Sequence, residues 1–402
     1  MALRYTRNSL VTVKAGLSMM VAVVSLAACQ SSPAPRGGGG QQPPATSGQK
    51  QPAAGSTDPY EVGPYDGREW SGFIMQGEDE LANEQKAAEQ QRRYEAFVET
   101  RCLKLGGALM KLADTDVEMR ELAWRDLEEF RKQDADSIAR QKAQGIKDPS
   151  GLVIPRYIAR ELSKPKDARD VAWLTRQGRL LRSAYRFESK TPDVWEQGIA
   201  EMLAEGRDGR EFLVSQMIVR LRGARPMYVE LAQKVLAEYV AEEAIPVLVD
   251  AAHLTIGNQT GVFSKRVADT LLKIGPRAAL ETLRVFRDKA GAYVPASDGN
   301  WKTRRDLIPA LGAMKYGTEW EKDRTEVVDT LILELKNANI KSDDTRYLYR
   351  LVLIENLGAL GDKRAAEQII ATWKTDPQDL TTVCRKALLR LTGEIHDSPP
   401  QR

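Results

Sequence analysis

The feature that most constrains this chain is a recurring pattern of apolar residues at helical spacing, which continues over most of its length. In one segment the pattern comprises Ile245, Leu248, Val249 and Ala252, which share one face of an α-helix. No segment shows the alternation of β-branched residues typical of strands. The helices come in pairs that start near residues 228, 262, 304, 344 and 378, in steps of 34, 42, 40 and 34 residues. A period of this length predicts an all-α stack of helix pairs that share one core.

The predicted pairs join 228–240 with 244–253, 262–274 with 277–288, 304–314 with 322–337, and 344–360 with 363–374, before a last helix at 378–392. Several of these segments resemble HEAT repeats. The best match is Leu353–Gly361 (LIENLGALG) followed by Ala365 and Ala366, while Ala244–Leu248 (AIPVL) resembles the opening helix of a repeat and Arg266–Ala268 the closing one. The resemblance implies a right-handed α-solenoid.

The HEAT-like pattern is regular over 228–393 and patchy upstream, where Asp114–Leu127 also fits. We therefore divide the helical body into an irregular region, 78–227, and HEAT-like repeats, 228–393. The lead-in segment 78–93 consists of good helix formers with almost no apolar face. The final residues, 394–402, form a polar tail that we expect to be disordered.

The first 28 residues have the parts of an export signal in order. A basic start with Arg4, Arg7 and Lys14 precedes an uncharged, mostly apolar run, Ala15–Ala28, and then Cys29. Leu-Ala-Ala-Cys at 26–29 resembles the lipobox of bacterial lipoproteins. The resemblance implies cleavage before Cys29, lipid attachment to its thiol, and a membrane anchor in the cell envelope. The alternatives are an uncleaved anchor, for which a run of 14 residues is short, or an ordinary secretory signal.

Residues 29–77 are predicted to be a disordered tether that starts at the lipidated cysteine. Of the 28 residues at 30–57, 20 are Gly, Pro, Ser or Gln, and none is Leu, Ile, Val or Phe, so the segment cannot bury enough surface to order itself. The second mature residue is Gln30, not Asp, which by the lipoprotein resemblance implies sorting to the outer membrane, facing the periplasm, in a host with two membranes. Aromatic residues return at 58–77, which either lie along the first helices as an extended strap or bind a partner.

The charge balance and the scarcity of histidine narrow the function. The formal net charge is +3, and removal of three basic residues with the signal leaves 59 − 3 = 56 basic against 56 acidic residues. This balance does not favour a nucleic-acid partner. The two histidines, His253 and His396, and the two remaining cysteines, Cys102 and Cys384, form no metal-ligand or catalytic spacing. We predict no catalytic, cofactor-binding or metal-binding residue, and core positions for both cysteines without a disulfide between them.

Longer connections occur between the helix pairs than within them, and such insertions often mark the binding face of a repeat protein. Tyr293 and Trp301 lie in the longest connection, 289–303, and aromatic side chains are favoured interface anchors. They are therefore our candidate partner-binding residues, unless they fold back on the helices. The predicted function is a membrane-anchored, non-catalytic scaffold that binds another envelope protein. The alternative is an envelope enzyme or accessory factor acting on cell-wall or lipid material.

Overall fold

The computed structural model describes residues 92–145, 151, 153–189, 191–223, 226–252, 260–376 and 379–399. These residues form an all-α fold with fifteen α-helices. The only β structure among them is two isolated bridges, Arg287 with Tyr293 and Ser297 with Asn339. The predicted signal, Cys29, the tether, the start of the lead-in helix and His253 lie outside the described residues.

The chain is helical from residue 92 and passes through a π-helical segment, Glu99–Leu105, into the first of the fifteen helices. Three 3-10 turns, Pro276–Ala278, Leu283–Phe286 and Thr318–Trp320, flank helices in the second half. The α-helices are α1 (Gly106–Lys111), α2 (Val117–Ala143), α3 (Arg156–Leu162), α4 (Val171–Tyr185), α5 (Pro192–Ala204), α6 (Gly206–Arg222), α7 (Pro226–Glu238), α8 (Ala241–Ala252), α9 (Thr260–Ile274), α10 (Ala279–Thr282), α11 (Trp301–Ala313), α12 (Glu321–Asn337), α13 (Asp343–Leu360), α14 (Ala365–Thr375) and α15 (Thr381–Thr392).

The helices pack mostly against neighbours in the sequence, and from α7 onward they form two series. In the odd series, α7, α9, α11, α13 and α15 pack in that order, each on the one before. In the even series, α8, α10, α12 and α14 do the same. Each odd helix also packs on the even helix next to it in the sequence, so that the apolar stripes of both series contribute to a continuous core. The expectation of an all-α fold whose helices pack mostly on their sequence neighbours is confirmed.

The predicted helix pairs agree with the observed ones within a few residues, with one difference. Residues 277–288, predicted as one helix, form a short α10 between two 3-10 turns. The helical geometry ends at Phe286, and the backbone is extended at Arg287. The Phe286 carbonyl oxygen accepts a hydrogen bond of 2.9 Å from the backbone N–H of Val294 in the loop that follows. The backbone at this end of the pair is therefore shaped by the loop that follows it.

Ion pairs connect successive helix pairs, and the two residues of each ion pair are about one sequence repeat apart. Four arginine–carboxylate contacts join residues 33, 34, 39 and 35 positions apart in the chain. The first links α6 to α8, and the other three link successive members of the even series or the turns beside them. The four contacts are Arg210–Glu243, Asp250–Arg284, Arg287–Glu326 and Asp329–Arg364.

None of the described helices is both long enough and apolar enough to span a membrane.

Candidate protein-interaction surface

The connection between α10 and α11 is a well-packed loop, 287–300, rather than a loose excursion. Its first half is a tight turn in which the Asp288 carboxylate accepts hydrogen bonds of 2.9 Å from the backbone N–H groups of Ala290 and Ala292. Gly291 has φ +82°, a left-handed conformation that glycine adopts without strain. An antiparallel bridge between Arg287 and Tyr293 closes the turn. The Asp288 side chain and the backbone bridge thus hold this turn in place.

The second half of the loop is joined to the next connection along the stack. Asn339 donates its backbone N–H to Ala296 at 2.8 Å, and Lys341 donates its backbone N–H to the Asp298 carboxylate at 3.2 Å. Residues 297–299 remain exposed. Two connections of the same class therefore lie side by side, as the repeat interpretation predicts for one edge of the stack.

A buried carboxylate, Glu334 of α12, holds the loop from below. Its side chain has 0% exposure, and it pairs with Arg304 of α11, which is 2% exposed, at 3.0 Å. Tyr293 and Tyr349 each donate a hydroxyl hydrogen bond of 2.6 Å to it, and Ala296 donates a backbone N–H at 3.1 Å. A buried charge is tolerated only when it is paired and hydrogen-bonded, and here one carboxylate satisfies four donors.

Arg304 extends this buried cluster to the loop backbone. Its guanidinium donates to the carbonyl oxygens of Val285 at 3.0 Å and Val294 at 2.8 Å. Burial, together with the Glu334 carboxylate, raises the pKa of both Tyr293 and Tyr349 above the ordinary tyrosine value. Both phenols therefore remain protonated donors at neutral pH. We call Tyr293, Arg304, Glu334 and Tyr349 the loop anchor.

The structure gives the two candidate residues different surroundings. Tyr293 is half-buried and its hydroxyl is committed to the loop anchor. Trp301 is the half-buried first residue of α11, and the cations of Lys302 and Arg305 lie 6.0 and 5.1 Å from its ring centroid. Partner binding stays a prediction for both residues, with Trp301 the more available of the two.

Sequence reasoning missed Arg304, Glu334 and Tyr349. A signal for Glu334 was present, because it lies three residues after Leu331 and next to Leu335 on a stripe whose other members are apolar. A charged residue at a core position predicts a buried partner. The sequence does not say which partner, because Arg304 and Tyr349 come from other helices.

A second feature is an open cleft of about 550 Å³ between the segment 99–111 and helices α4 and α5. Its lining combines apolar side chains with arginines and two glutamates: Leu103, Met110, Arg179, Arg182, Ser183, Tyr185, Arg186, Glu201, Ala204 and Glu205. Arg179 pairs with Glu205, and Arg186 with Glu201. These hydrogen bonds lower the pKa of both glutamates, so both are ionised and engaged at neutral pH.

Both described cysteines are free and buried, and their predicted core positions are confirmed. Burial raises the pKa of the Cys102 and Cys384 thiols to about 12. His396 is half-buried, with Nε2 3.6 Å from Glu394. No group of three or more His, Cys, Asp or Glu side chains that could hold a metal occurs in the part of the chain that the structure describes.

Comparisons of the chain with known protein families, with curated proteins and with solved structures found no match. The class is therefore given by the fold alone, an all-helical protein with sequential helix packing.

Proposed function

We propose that this chain is a bacterial lipoprotein, anchored to a membrane of the cell envelope through Cys29, whose helical body is a non-catalytic scaffold for another envelope protein. The body is a right-handed α-solenoid of HEAT-like pairs over 228–393. The lipobox-like residues 26–29 support the anchor. The two series of packed helices, and ion pairs that join residues 33 to 39 positions apart, support the solenoid.

The observation that carries the proposal is the buried loop anchor. Glu334, with 0% exposure, fixes the conformation of a loop whose exposed residues face away from the core. A loop with one conformation before binding loses little conformational entropy when a partner arrives, and this favours affinity. Such positioning of an exposed loop by a rigid body is typical of recognition surfaces.

Trp301 is the contact that we expect to contribute most to binding. It lies at the end of this loop, it keeps part of its ring accessible, and tryptophan is enriched among the residues that dominate interface energies. Arg305 is paired with Asp306 at 2.7 Å, so the cations that favour an apolar and acidic partner surface are Lys302 and Lys289, both exposed.

The proposal is tested by crosslinking full-length protein in intact cells and comparing the captured partners of three chains. Trp301→Ala should lose a partner that the wild type and Trp320→Ala both retain. Trp320 is a matched control because it is also half-buried at a helix start, α12, but lies at the opposite end of α11. Equal capture by all three chains would remove Trp301 from the interface.

The anchor is tested separately by the intact mass of protein extracted from membranes. The expected mass is that of a chain starting at Cys29 plus its acyl groups, and Cys29→Ala should lose both the lipid and the membrane association. A soluble, unlipidated wild type would contradict the anchor.

A further inference from the structure

The cleft beside α4 has the chemistry of a site for a peptide segment that is apolar and acidic. Leu103, Met110 and Ala204 provide apolar surface. Arg179 and Arg182 of α4 and Arg186, the helical C-cap residue directly after it, line the cleft at spacings of three and four residues and therefore lie on one side of it. An occupant would bury apolar side chains between two packed elements and meet cations at one side.

The three arginines do not contribute equally. Arg179 and Arg186 are engaged by Glu205 and Glu201, whereas Arg182 is exposed and makes no ion pair within the described residues. Three arginines against two glutamates leave the lining with one unneutralised positive charge, located at Arg182.

One segment of this chain matches that chemistry. Residues 58–77 contain four acidic residues, Asp58, Glu61, Asp66 and Glu69, against one basic residue, Arg68, a net charge of 1 − 4 = −3. The same segment is rich in large apolar side chains, unlike residues 30–57 before it. They are Tyr60, Val62, Tyr65, Trp70, Phe73, Ile74 and Met75.

The position at which the described chain begins allows this segment to reach the cleft. The Tyr94 hydroxyl donates a hydrogen bond of 2.9 Å to Glu188, two residues beyond Arg186 of the cleft. Only residues 78–93 separate Tyr94 from the segment. As a helix they would span about 24 Å, and twenty extended residues cover about 66 Å, which is enough to return along the cleft.

We propose that residues 58–77 dock in the cleft of their own chain, with apolar side chains against Leu103, Met110 and Ala204 and a carboxylate against Arg182. Because the segment is covalently attached, its effective concentration at the cleft is high, and weak individual contacts suffice. The proposal does not depend on lipid at Cys29 or on the partner proposed above.

The test is hydrogen–deuterium exchange of the full-length chain, read on peptides from 58–77 and from the cleft, with a synthetic 58–77 peptide as the unprotected reference. We expect slower exchange in the chain than in the free peptide. Arg182→Glu should reduce this protection by about three- to tenfold, as expected for loss of an exposed ion pair and its replacement by repulsion. Arg390→Glu makes the same charge change at an exposed position on distant α15 and should leave it unchanged.

A charge exchange adds a second requirement. Asp66→Arg and Glu69→Arg, combined with Arg182→Glu, should restore protection that Arg182→Glu removes. The proposal is overturned if residues 58–77 exchange like the free peptide. It is also overturned if Arg182→Glu and the control Arg390→Glu change the protection of 58–77 equally. It is also overturned if the cleft is protected while 58–77 is not, because the occupant would then be another molecule.

Discussion

Replacement of Glu334 by glutamine is the most direct test of the loop anchor. Glutamine has nearly the same shape, but it has one acceptor oxygen where glutamate has two. Oε1 accepts from Ala296, Arg304 and Tyr349, and Oε2 accepts from Tyr293 and, at 3.2 Å, from Arg304. Either orientation of the amide sets its NH₂ group against a donor, and the Arg304 charge is left buried without a counter-charge.

The expected cost follows from this geometry. Breaking a buried ion pair from one side costs about 3–5 kcal/mol, and both partners here are essentially inaccessible, at 2% and 0% exposure. With a urea m-value of about 2–3 kcal/mol/M, the unfolding midpoint should fall by about 1–2.5 M. Circular dichroism of the full-length chain in urea measures this shift.

A double-mutant cycle provides the control. Arg304→Met combined with Glu334→Leu removes both charges, so the double variant should be more stable than Glu334→Leu alone. The reasoning is refuted if Glu334→Gln unfolds within about 0.5 kcal/mol of wild type. It is also refuted if the two single costs simply add, because the charges would then not be coupled.

Three further outcomes are expected. Gly178→Ala should destabilise the chain by about 1–3 kcal/mol in the same urea assay, because its Cβ would lie 2.7 Å from the Gly106 carbonyl oxygen; Gly107→Ala, with nothing within 4 Å, should stabilise it by about 0.5–1 kcal/mol. In a Cys29→Ala background, the two buried thiols should resist iodoacetamide at pH 8 until urea unfolds the chain, because at a pKa of about 12 only about one in ten thousand is ionised; fast labelling of folded protein would contradict this. Because the pKa of Tyr349 is raised in the folded state, its contribution to stability is present below pH 10 and is lost as pH rises through the folded pKa, by up to about 1.4 kcal/mol per pH unit. Tyr349→Phe should therefore lose less resistance to urea than the wild type between pH 9 and 11. Equal slopes of stability against pH in the two chains would contradict this expectation.

Local sequence signals were sufficient for the helices and for their order of packing. The helix pairs over 228–392 could be predicted because apolar residues recur at helical spacing within each segment. One helix pair cannot bury its apolar stripe alone, so neighbouring pairs must pack on each other. The prediction was wrong at 277–288, where a contact with the loop that follows overrides local helix propensity. There the hydrogen bond from Val294 to Phe286 ends the helical geometry early.

The candidate surface was only half predictable from the sequence. Loop length and aromatic composition identified 289–303 as a candidate binding loop. The structure brings this loop beside the connection at 338–341. Folding of Tyr293 back onto the helices was the alternative that the sequence left open, but its partner Glu334 could not be foreseen, because it lies 41 positions away. The cleft beside α4 was missed entirely, since its lining comes from three elements whose contact leaves no pattern in the sequence.

The loop anchor separates the shape of the loop from the identity of its exposed residues. Arg304 and Glu334 define where the backbone of 287–300 runs, while residues 289–292 and 297–299 take no part in side-chain packing of the core. Substitutions at those exposed positions, apart from Gly291 with its left-handed φ and Asp298 with its hydrogen bond from Lys341, can therefore accumulate without refolding the loop. A lineage, or a protein engineer, can change what this edge of the stack recognises while the helices beneath it stay the same.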